Sequence, residues 1–268
     1  MDYKKSVASV VFADLAFLFI LGCSGLADGA ISEVLYVLAF IIPLVAVLTF
    51  SRGEKAETEL GVRLGIKKES LIEFIPLVFP SIVIIMLAAL LVSFILTHLG
   101  LENPVTVYPT LAENVLHHAL LPAVLEEALF RYLPLRLLAR YSKRRAVLLS
   151  SLLFAFIHCN LFQIPYAYLA GILLSSLCLA YGSILPSLIL HLINNTVSVL
   201  LIYYDADGIV YALTSALAVI SLIFVFTNRQ AYFNRFKEVF ADKCKFGFTY
   251  YPAFIIITTT IAAISAIM

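Results

Sequence analysis

Long apolar runs, each close to the length of a membrane-spanning helix, fill most of this chain. A helix needs roughly 20 mainly apolar residues to cross the hydrocarbon core of a bilayer. The pattern therefore predicts eight or nine spans, whose edges are set only to within a few residues. The predicted spans are Ser6–Leu26, Ser32–Phe50, Leu71–Thr97, Asn114–Leu138, Ala146–Phe162, Pro165–Gly182, Ile184–Tyr204, Ile209–Thr227 and Tyr250–Met268.

Composition supports this interpretation and excludes several others. Of the 268 residues, 62% are hydrophobic and 13% are charged, whereas soluble domains have about 45–50% apolar and about 25% charged residues. These values exclude a soluble enzyme, a disordered chain and a secreted disulfide scaffold. We predict an all-α, polytopic transmembrane helical bundle that forms a single membrane domain over residues 1–268.

The basic residues indicate the orientation of this bundle. All of the 18 Lys and Arg residues except Arg131 lie at the N-terminus or in loops on one side of the predicted spans. Lys and Arg concentrate in cytoplasmic loops, so we predict a multi-pass integral membrane protein with a cytoplasmic N-terminus, typical of a prokaryotic cell membrane. Arg131 falls inside the fourth span.

The fourth span also contains the densest group of ionisable residues. Glu127 and Arg131 are four residues apart, so they share a helix face and suit an intramembrane ion pair. Glu126 points about 100° away and has no such local partner. Ionisable side chains inside a bilayer cost about 2.5–3.5 kcal/mol each on insertion scales, which makes this group a candidate functional site.

Two further spans contribute polar side chains at a similar depth. His158 lies in the fifth span, and His191 and Asn195 lie four residues apart in the seventh. Counting about 1.5 Å per residue from the inner end of each span puts them, like Glu126, near the bilayer centre. We therefore expect three helices to bring their polar groups together inside the membrane.

These residue types point to hydrolysis by an activated water molecule. A desolvated carboxylate such as Glu126 can act as a general base, with His158 helping to hold the water. His191 and the Asn195 amide can donate hydrogen bonds to a developing oxyanion. No serine, cysteine or threonine is paired in a way that indicates a nucleophile.

At these positions the sequence resembles the CPBP family of intramembrane proteases, also called the Abi or CAAX-protease-like family. Three motifs carry the resemblance, each in its own predicted span: E-E-x-x-x-R at Glu126, Glu127 and Arg131, F-x-x-x-H at Phe154 and His158, and H-x-x-x-N at His191 and Asn195. The resemblance covers residues 114–204, which we interpret as the catalytic core.

The resemblance implies an active site inside the membrane and cleavage of prenylated CAAX proteins, bacteriocin precursors or other membrane-associated peptides. It assigns water activation to Glu126 with His158, and the oxyanion to His191 and Asn195. Glu127 and Arg131 receive a supporting role. The implied partners are a peptide or lipidated protein and the lipid bilayer. No feature indicates nucleic acid, and the sequence sets no oligomeric state.

Other interpretations remain open at this point. Two His and one Glu could bind zinc or another divalent metal, but the H-E-x-x-H signature is absent, so we favour no cofactor. The ionisable cluster also suits a proton-coupled transporter, and the fold suits a non-catalytic immunity or partner protein. We expect His117 and His118, near the outer interface, to be solvated.

Overall fold

The computed structural model describes residues 3–27, 29–50, 62–103, 107–204 and 207–241. These residues form an all-α bundle without a β-strand, as the apolar pattern predicts. The α-helices are α1 (Tyr3–Gly25), α2 (Gly29–Phe50), α3 (Lys68–His98), α4 (Leu111–Val115), α5 (Leu121–Glu127), α6 (Leu133–Leu138), α7 (Lys143–Phe156), α8 (Ile164–Tyr181), α9 (Leu185–Tyr204), α10 (Asp207–Thr227) and α11 (Arg229–Phe240).

Six helices in the described part of the chain are long and apolar enough to cross a membrane, namely α1, α2, α3, α8, α9 and α10. They correspond to six of the predicted spans. The predicted ninth span, Tyr250–Met268, lies outside the described residues, so the count of eight or nine stays a prediction.

The predicted fourth span is one helical run, residues 111–138, whose geometry changes twice. The π-helical segments Leu116–Leu120 and Ala128–Tyr132 interrupt the α-helical geometry. At the start of the run, Thr110 and Glu113 form a capping box that satisfies the first backbone amides. Glu126 and Glu127 therefore lie in a short α-helical stretch between two π-helical segments, and π-helical turns are frequent at functional sites.

The predicted fifth span is too long. Helix α7 begins at Lys143 and ends at Phe156, and its 14 residues extend over about 21 Å, less than the roughly 30 Å hydrocarbon core. The chain then turns, because Cys159 has a φ of 47° and the Asn160 side chain accepts a hydrogen bond from the Phe162 amide at 2.8 Å. His158 thus lies in the turn after the helix and not within it.

Small side chains set the distance between α7 and α8. A Cβ atom on Gly171 would come within 2.8 Å of the Ser151 Cα, so glycine is required for this approach. Close packing through small residues is typical of membrane helices. Ser150 donates a hydrogen bond to the Phe130 carbonyl and lies 3.0 Å from the Ser175 hydroxyl. This contact fixes α7 and α8 against the helical run 111–138.

Aromatic rings join the α1–α2 hairpin to the same run. The ring of Phe17 lies 4.6 Å from that of Phe40 and 5.4 Å from that of Phe130, measured between centroids. All three rings are buried. This packing brings α2 beside the polar residues of the helical run.

Helix α11 occupies a segment that the sequence indicates only as an inner loop. Tyr232 donates a hydrogen bond to the Glu73 carbonyl at 2.8 Å, and Arg235 pairs with the Glu73 carboxylate, whose hydrogen bonds raise the pKa of Arg235. Arg235 also donates to the Ala180 carbonyl at 3.3 Å. These contacts hold α11 against the start of α3 and the end of α8.

Basic residues from several predicted inner loops meet at this end of the bundle. The backbone of Arg63 pairs with Gly182 and Ile184 at the end of α8, beside Arg235. Lys143, at the start of α7, lies 3.9 Å from Glu238 of α11. Since α3 begins at this basic end, its C-terminus at His98 and the Asn103 segment lie at the opposite end.

Candidate active site

A cavity of about 440 Å³ lies between α2, α3, the helical run 111–138, α7, α8 and α9. The four predicted catalytic residues, Glu126, His158, His191 and Asn195, all line it. They come from the helical run, the turn after α7, and α9. We call these four residues, with Phe154, the deep end of the cavity.

His191 lies between the two adjacent carboxylates of the E-E motif. Its Nδ1 is 2.9 Å from Oε1 of Glu127, and its Nε2 is 3.7 Å from Oε2 of Glu126. A carboxylate only accepts hydrogen bonds, so Nδ1 carries the proton that is donated to Glu127. Glu127 therefore orients the imidazole and turns Nε2 towards Glu126.

Glu127 and Arg131 form a buried ion pair behind the cavity. Nε of Arg131 lies 3.6 Å from Oε1 of Glu127, and both side chains are fully buried. The guanidinium carbon lies 3.7 Å from the centroid of the Phe154 ring, a cation–π contact. Neither Glu127 nor Arg131 lines the cavity, so they hold His191 and Phe154 from behind.

The backbone of α7 orients His158. Its Nδ1 donates a hydrogen bond to the Phe154 carbonyl at 2.8 Å, so in the neutral imidazole Nε2 is the acceptor. The edge of the Phe154 ring contacts both imidazoles, with centroids 5.0 Å from His158 and 5.6 Å from His191. Phe154 thus separates and positions the two rings.

Asn195 has a partner that the motif does not include. The Asn194 amide donates to Oδ1 of Asn195 at 3.3 Å, and Asn194 also lines the cavity. This contact occupies the carbonyl oxygen of Asn195, so its NH₂ group can donate to a ligand.

Three more polar residues line the cavity without a signal in the sequence: Tyr36 of α2, Gln163 before α8, and Tyr166 of α8. None belongs to a motif, and tertiary packing alone brings them into the lining of the cavity. The presence of Asn194 in the cavity is easier to predict from the sequence, since Asn194 directly precedes the motif residue Asn195.

The other end of the cavity, which we call the mouth, is formed by Asn103, Asn114, His117, His118 and Tyr203. His117 and His118 are half-buried and line the cavity, and their contact with water stays a prediction. The loop before α4 folds over them, and its Tyr108 ring stacks on His117 with centroids 4.7 Å apart.

The imidazolium form of His191 can donate from both ring nitrogens, from Nδ1 to Glu127 and from Nε2 towards Glu126 or a ligand.

The alternative of a metal site stays a prediction. Among the residues that the structure describes, no group of three His, Cys, Asp or Glu side chains is placed to hold a metal ion. Nδ1 of His191 contacts Glu127 and Nδ1 of His158 contacts a backbone carbonyl. Imidazoles that bind metals through Nε2 make the same Nδ1 contacts, so these hydrogen bonds do not decide between the two alternatives.

The central part of the chain is similar to a known protein family. Residues 108–197 match the family model described as Rce1-like, Type II CAAX prenyl endopeptidase Rce1-like. The match confirms the resemblance carried by the three motifs, and it supports a CAAX-type membrane protease in general terms. The comparisons with curated proteins and with solved structures each find no match.

Proposed function

We propose that the Rce1-like domain hydrolyses a peptide bond of a membrane-associated protein substrate, using a water molecule that Glu126 activates. The observation that carries this proposal is the convergence of one carboxylate, two oriented imidazoles and one amide on a single cavity. Each imidazole is held through Nδ1, so Nε2 is left for the reacting groups.

In the first step, Glu126 takes a proton from the water while the water oxygen bonds to the carbonyl carbon of the substrate. A positioned general base contributes about 10²–10⁴-fold to such a reaction. Nε2 of His158 accepts the second hydrogen bond of the water and so fixes its orientation. The product of this step is a tetrahedral intermediate with a negatively charged oxygen.

In the second step, the Asn195 amide and the Nε2 proton of the His191 imidazolium donate to that oxygen. Donors fixed in advance stabilise the developing charge, because they need not reorganise during the reaction. Glu127 and Arg131 support this step by holding His191 in position. They are therefore positioning residues.

In the third step, the carbon–nitrogen bond breaks and protonated Glu126 returns its proton to the leaving amine. One water molecule is consumed, and a new carboxyl group and a new amino group are formed. The enzyme ends in its initial state, with no covalent intermediate.

The substrate class follows from the surroundings of the site. The cavity lies within a bundle of apolar helices, so the substrate is a peptide segment or lipidated protein held at the bilayer. The mouth lies at the end opposite the basic residues.

The experiment is cleavage of a panel of prenylated and unprenylated peptides by the purified full chain in detergent. We expect the wild type to cleave members of the panel and Glu126→Gln to abolish cleavage while the protein remains folded. Glu69→Gln, which changes an exposed carboxylate on α3, is the matched control and should keep full activity.

Retained cleavage in Glu126→Gln would overturn the assigned base. If the folded wild type cleaves no peptide but carries a solute flux driven by a pH gradient in liposomes, the transporter interpretation replaces the protease.

A further inference from the structure

The turn between α7 and α8 depends on one residue that belongs to none of the three motifs, Asn160. Its side-chain oxygen accepts a hydrogen bond from the Phe162 amide at 2.8 Å. Its backbone carbonyl accepts from the amides of Gln163 and Ile164, each at 2.9 Å. The next residue, Pro165, has no amide hydrogen to satisfy. Asn160 therefore satisfies the backbone amides of residues 162–164, where α8 begins.

The residue before Asn160 has a rare backbone conformation. Among the residues that the structure describes, Cys159 is the only one other than glycine with a positive φ, 47°. A residue with a Cβ atom adopts this left-handed conformation only at a cost in energy. The three hydrogen bonds that Asn160 accepts stabilise the turn and hold Cys159 in that conformation. Strained residues held in this way are concentrated at functional sites.

The turn changes what the carbonyl of Phe154 binds. In a continuous α-helix, the amide of His158 would donate to this carbonyl, which lies four residues earlier. In the structure, that amide donates instead to the carbonyl of Ala155, at 3.4 Å. The Phe154 carbonyl accepts from Nδ1 of the His158 imidazole at 2.8 Å. The turn thus frees the acceptor that keeps the imidazole proton on Nδ1.

This acceptor matters for the proposed reaction because it fixes both the proton and the direction of the His158 ring. With Nδ1 bound to the backbone, Nε2 is the nitrogen that can accept from the attacking water. A tautomer with the proton on Nε2 could not accept there. A misplacement of about 1 Å in an active site can lower the rate about 10²-fold, so a small shift of this turn should affect catalysis.

We propose that Asn160 and Cys159 are positioning residues that act through His158. The turn they form frees the Phe154 carbonyl, and this carbonyl orients the imidazole that holds the attacking water. The proposal rests on the proposed function, because it takes His158 to hold that water. Neither Asn160 nor Cys159 belongs to the described lining of the cavity, so their effect is transmitted through the backbone.

The first test varies Asn160 and measures peptide cleavage by the purified full chain in detergent. Asn160→Ala removes the acceptor of the Phe162 amide, and we expect kcat to fall about 10–10²-fold with KM unchanged. Asn160→Asp keeps the acceptor and should restore most of the rate. Asn234→Ala, at an exposed asparagine of α11, is the matched control and should keep the wild-type kcat.

The second test varies the backbone preference at Cys159. Cys159→Gly accepts a positive φ without strain and should keep the wild-type kcat. Cys159→Val introduces a β-branched side chain, which disfavours a positive φ, and should lower kcat as Asn160→Ala does. Cys159→Ala removes the thiol but keeps the Cβ atom, so near wild-type cleavage by this variant shows that the thiol is not responsible. Cys23→Val, within α1, is the matched control.

The third test observes the imidazole without cleavage. In protein labelled with ¹⁵N-histidine, the ring nitrogen shifts show by NMR which nitrogen carries the proton, and His158→Gln identifies the signals of His158. We expect the proton on Nδ1 in the wild type and in Asn160→Asp. In Asn160→Ala we expect a mixture of the two tautomers.

A wild-type kcat in folded Asn160→Ala would overturn the proposal, as would a higher KM at an unchanged kcat. A single Nδ1 tautomer in Asn160→Ala would also overturn it. If Asn160→Ala does not fold, equal kcat values for Cys159→Val and Cys159→Gly would overturn the proposal. A folded wild type that cleaves no peptide, yet shows the His158 proton on Nδ1, would overturn the proposed function instead.

Discussion

The deep end and the mouth of the cavity place imidazoles in two different ways. At the deep end, His191 is held by charge, since it lies between two carboxylates and one of them pairs with the buried Arg131. At the mouth, His117 and His118 are held by stacking on Tyr108, whose loop Asn114 fixes through backbone hydrogen bonds. Removing one charged side chain from the first group leaves its buried partner unpaired. Removing one ring from the second group loses a contact but leaves no buried charge, so the protein can remain folded. The two ends should therefore respond differently to substitution.

The largest expected effect is on stability, at the ion pair behind the deep end. Arg131→Met removes the positive partner of Glu127 and leaves a buried carboxylate, which costs about 3–5 kcal/mol in comparable buried pairs. We expect a lower midpoint of unfolding in detergent and a lower folded yield. Arg136→Met, at an exposed arginine of the same helical run, is the control. An unchanged midpoint in Arg131→Met would contradict the importance of the ion pair.

The next effect is on the reaction itself. His191→Ala removes a donor to the oxyanion, and loss of such a donor lowers kcat by about 10²–10³-fold. Because this step is common to all substrates, prenylated and unprenylated peptides should lose the same factor. A loss confined to one class of peptide would move His191 from the chemistry to substrate selection.

A smaller effect is expected at the mouth. Tyr108→Ala removes an aromatic contact to both imidazoles, worth about 1 kcal/mol of stability. The protein should stay folded, with a slightly lower midpoint of unfolding, and cleave the peptides of the panel at the normal rate. Phe94→Ala, which removes a similar ring from His98 outside the cavity, is the control. Loss of cleavage in folded Tyr108→Ala would show that the two ends are not independent.

The smallest effect is expected from chelators. Dialysis against a strong chelator should leave kcat unchanged, because in the proposed reaction Glu126 activates the water without a metal. Elemental analysis of the purified protein checks the result. One zinc per chain, together with loss of cleavage on its removal, would reverse this expectation.

The deep end was predictable because its geometry is local. Glu127 with Arg131, and His191 with Asn195, are each four residues apart on one helix, so spacing alone places each pair on one face. Tyr36 and Tyr166 could not be found in this way, since neither belongs to a motif and only packing brings them into the lining of the cavity. Helix α11 did carry a signal, because Tyr232, Phe236 and Val239 repeat at helical spacing within a polar segment.

The presence of a helix was easier to predict from the sequence than the residue at which it ends. Hydropathy continues past Phe156, but the Asn160 turn ends α7 early and moves His158 out of the helix. The contact of Tyr108 with His117 and His118 was also not predictable, because it depends on the fold of the loop before α4.

Because of the two π-helical segments, the direction in which side chains leave the helical run depends on the number of residues in it. In a regular α-helix, residues eight apart differ by about 80° around the axis, whereas residues seven apart differ by about 20°. A π-helical turn takes up one additional residue, so the first segment brings His118 closer to the face that carries Glu126. Deleting one residue there would preserve the helix and every motif residue, yet it would rotate the mouth away from the deep end.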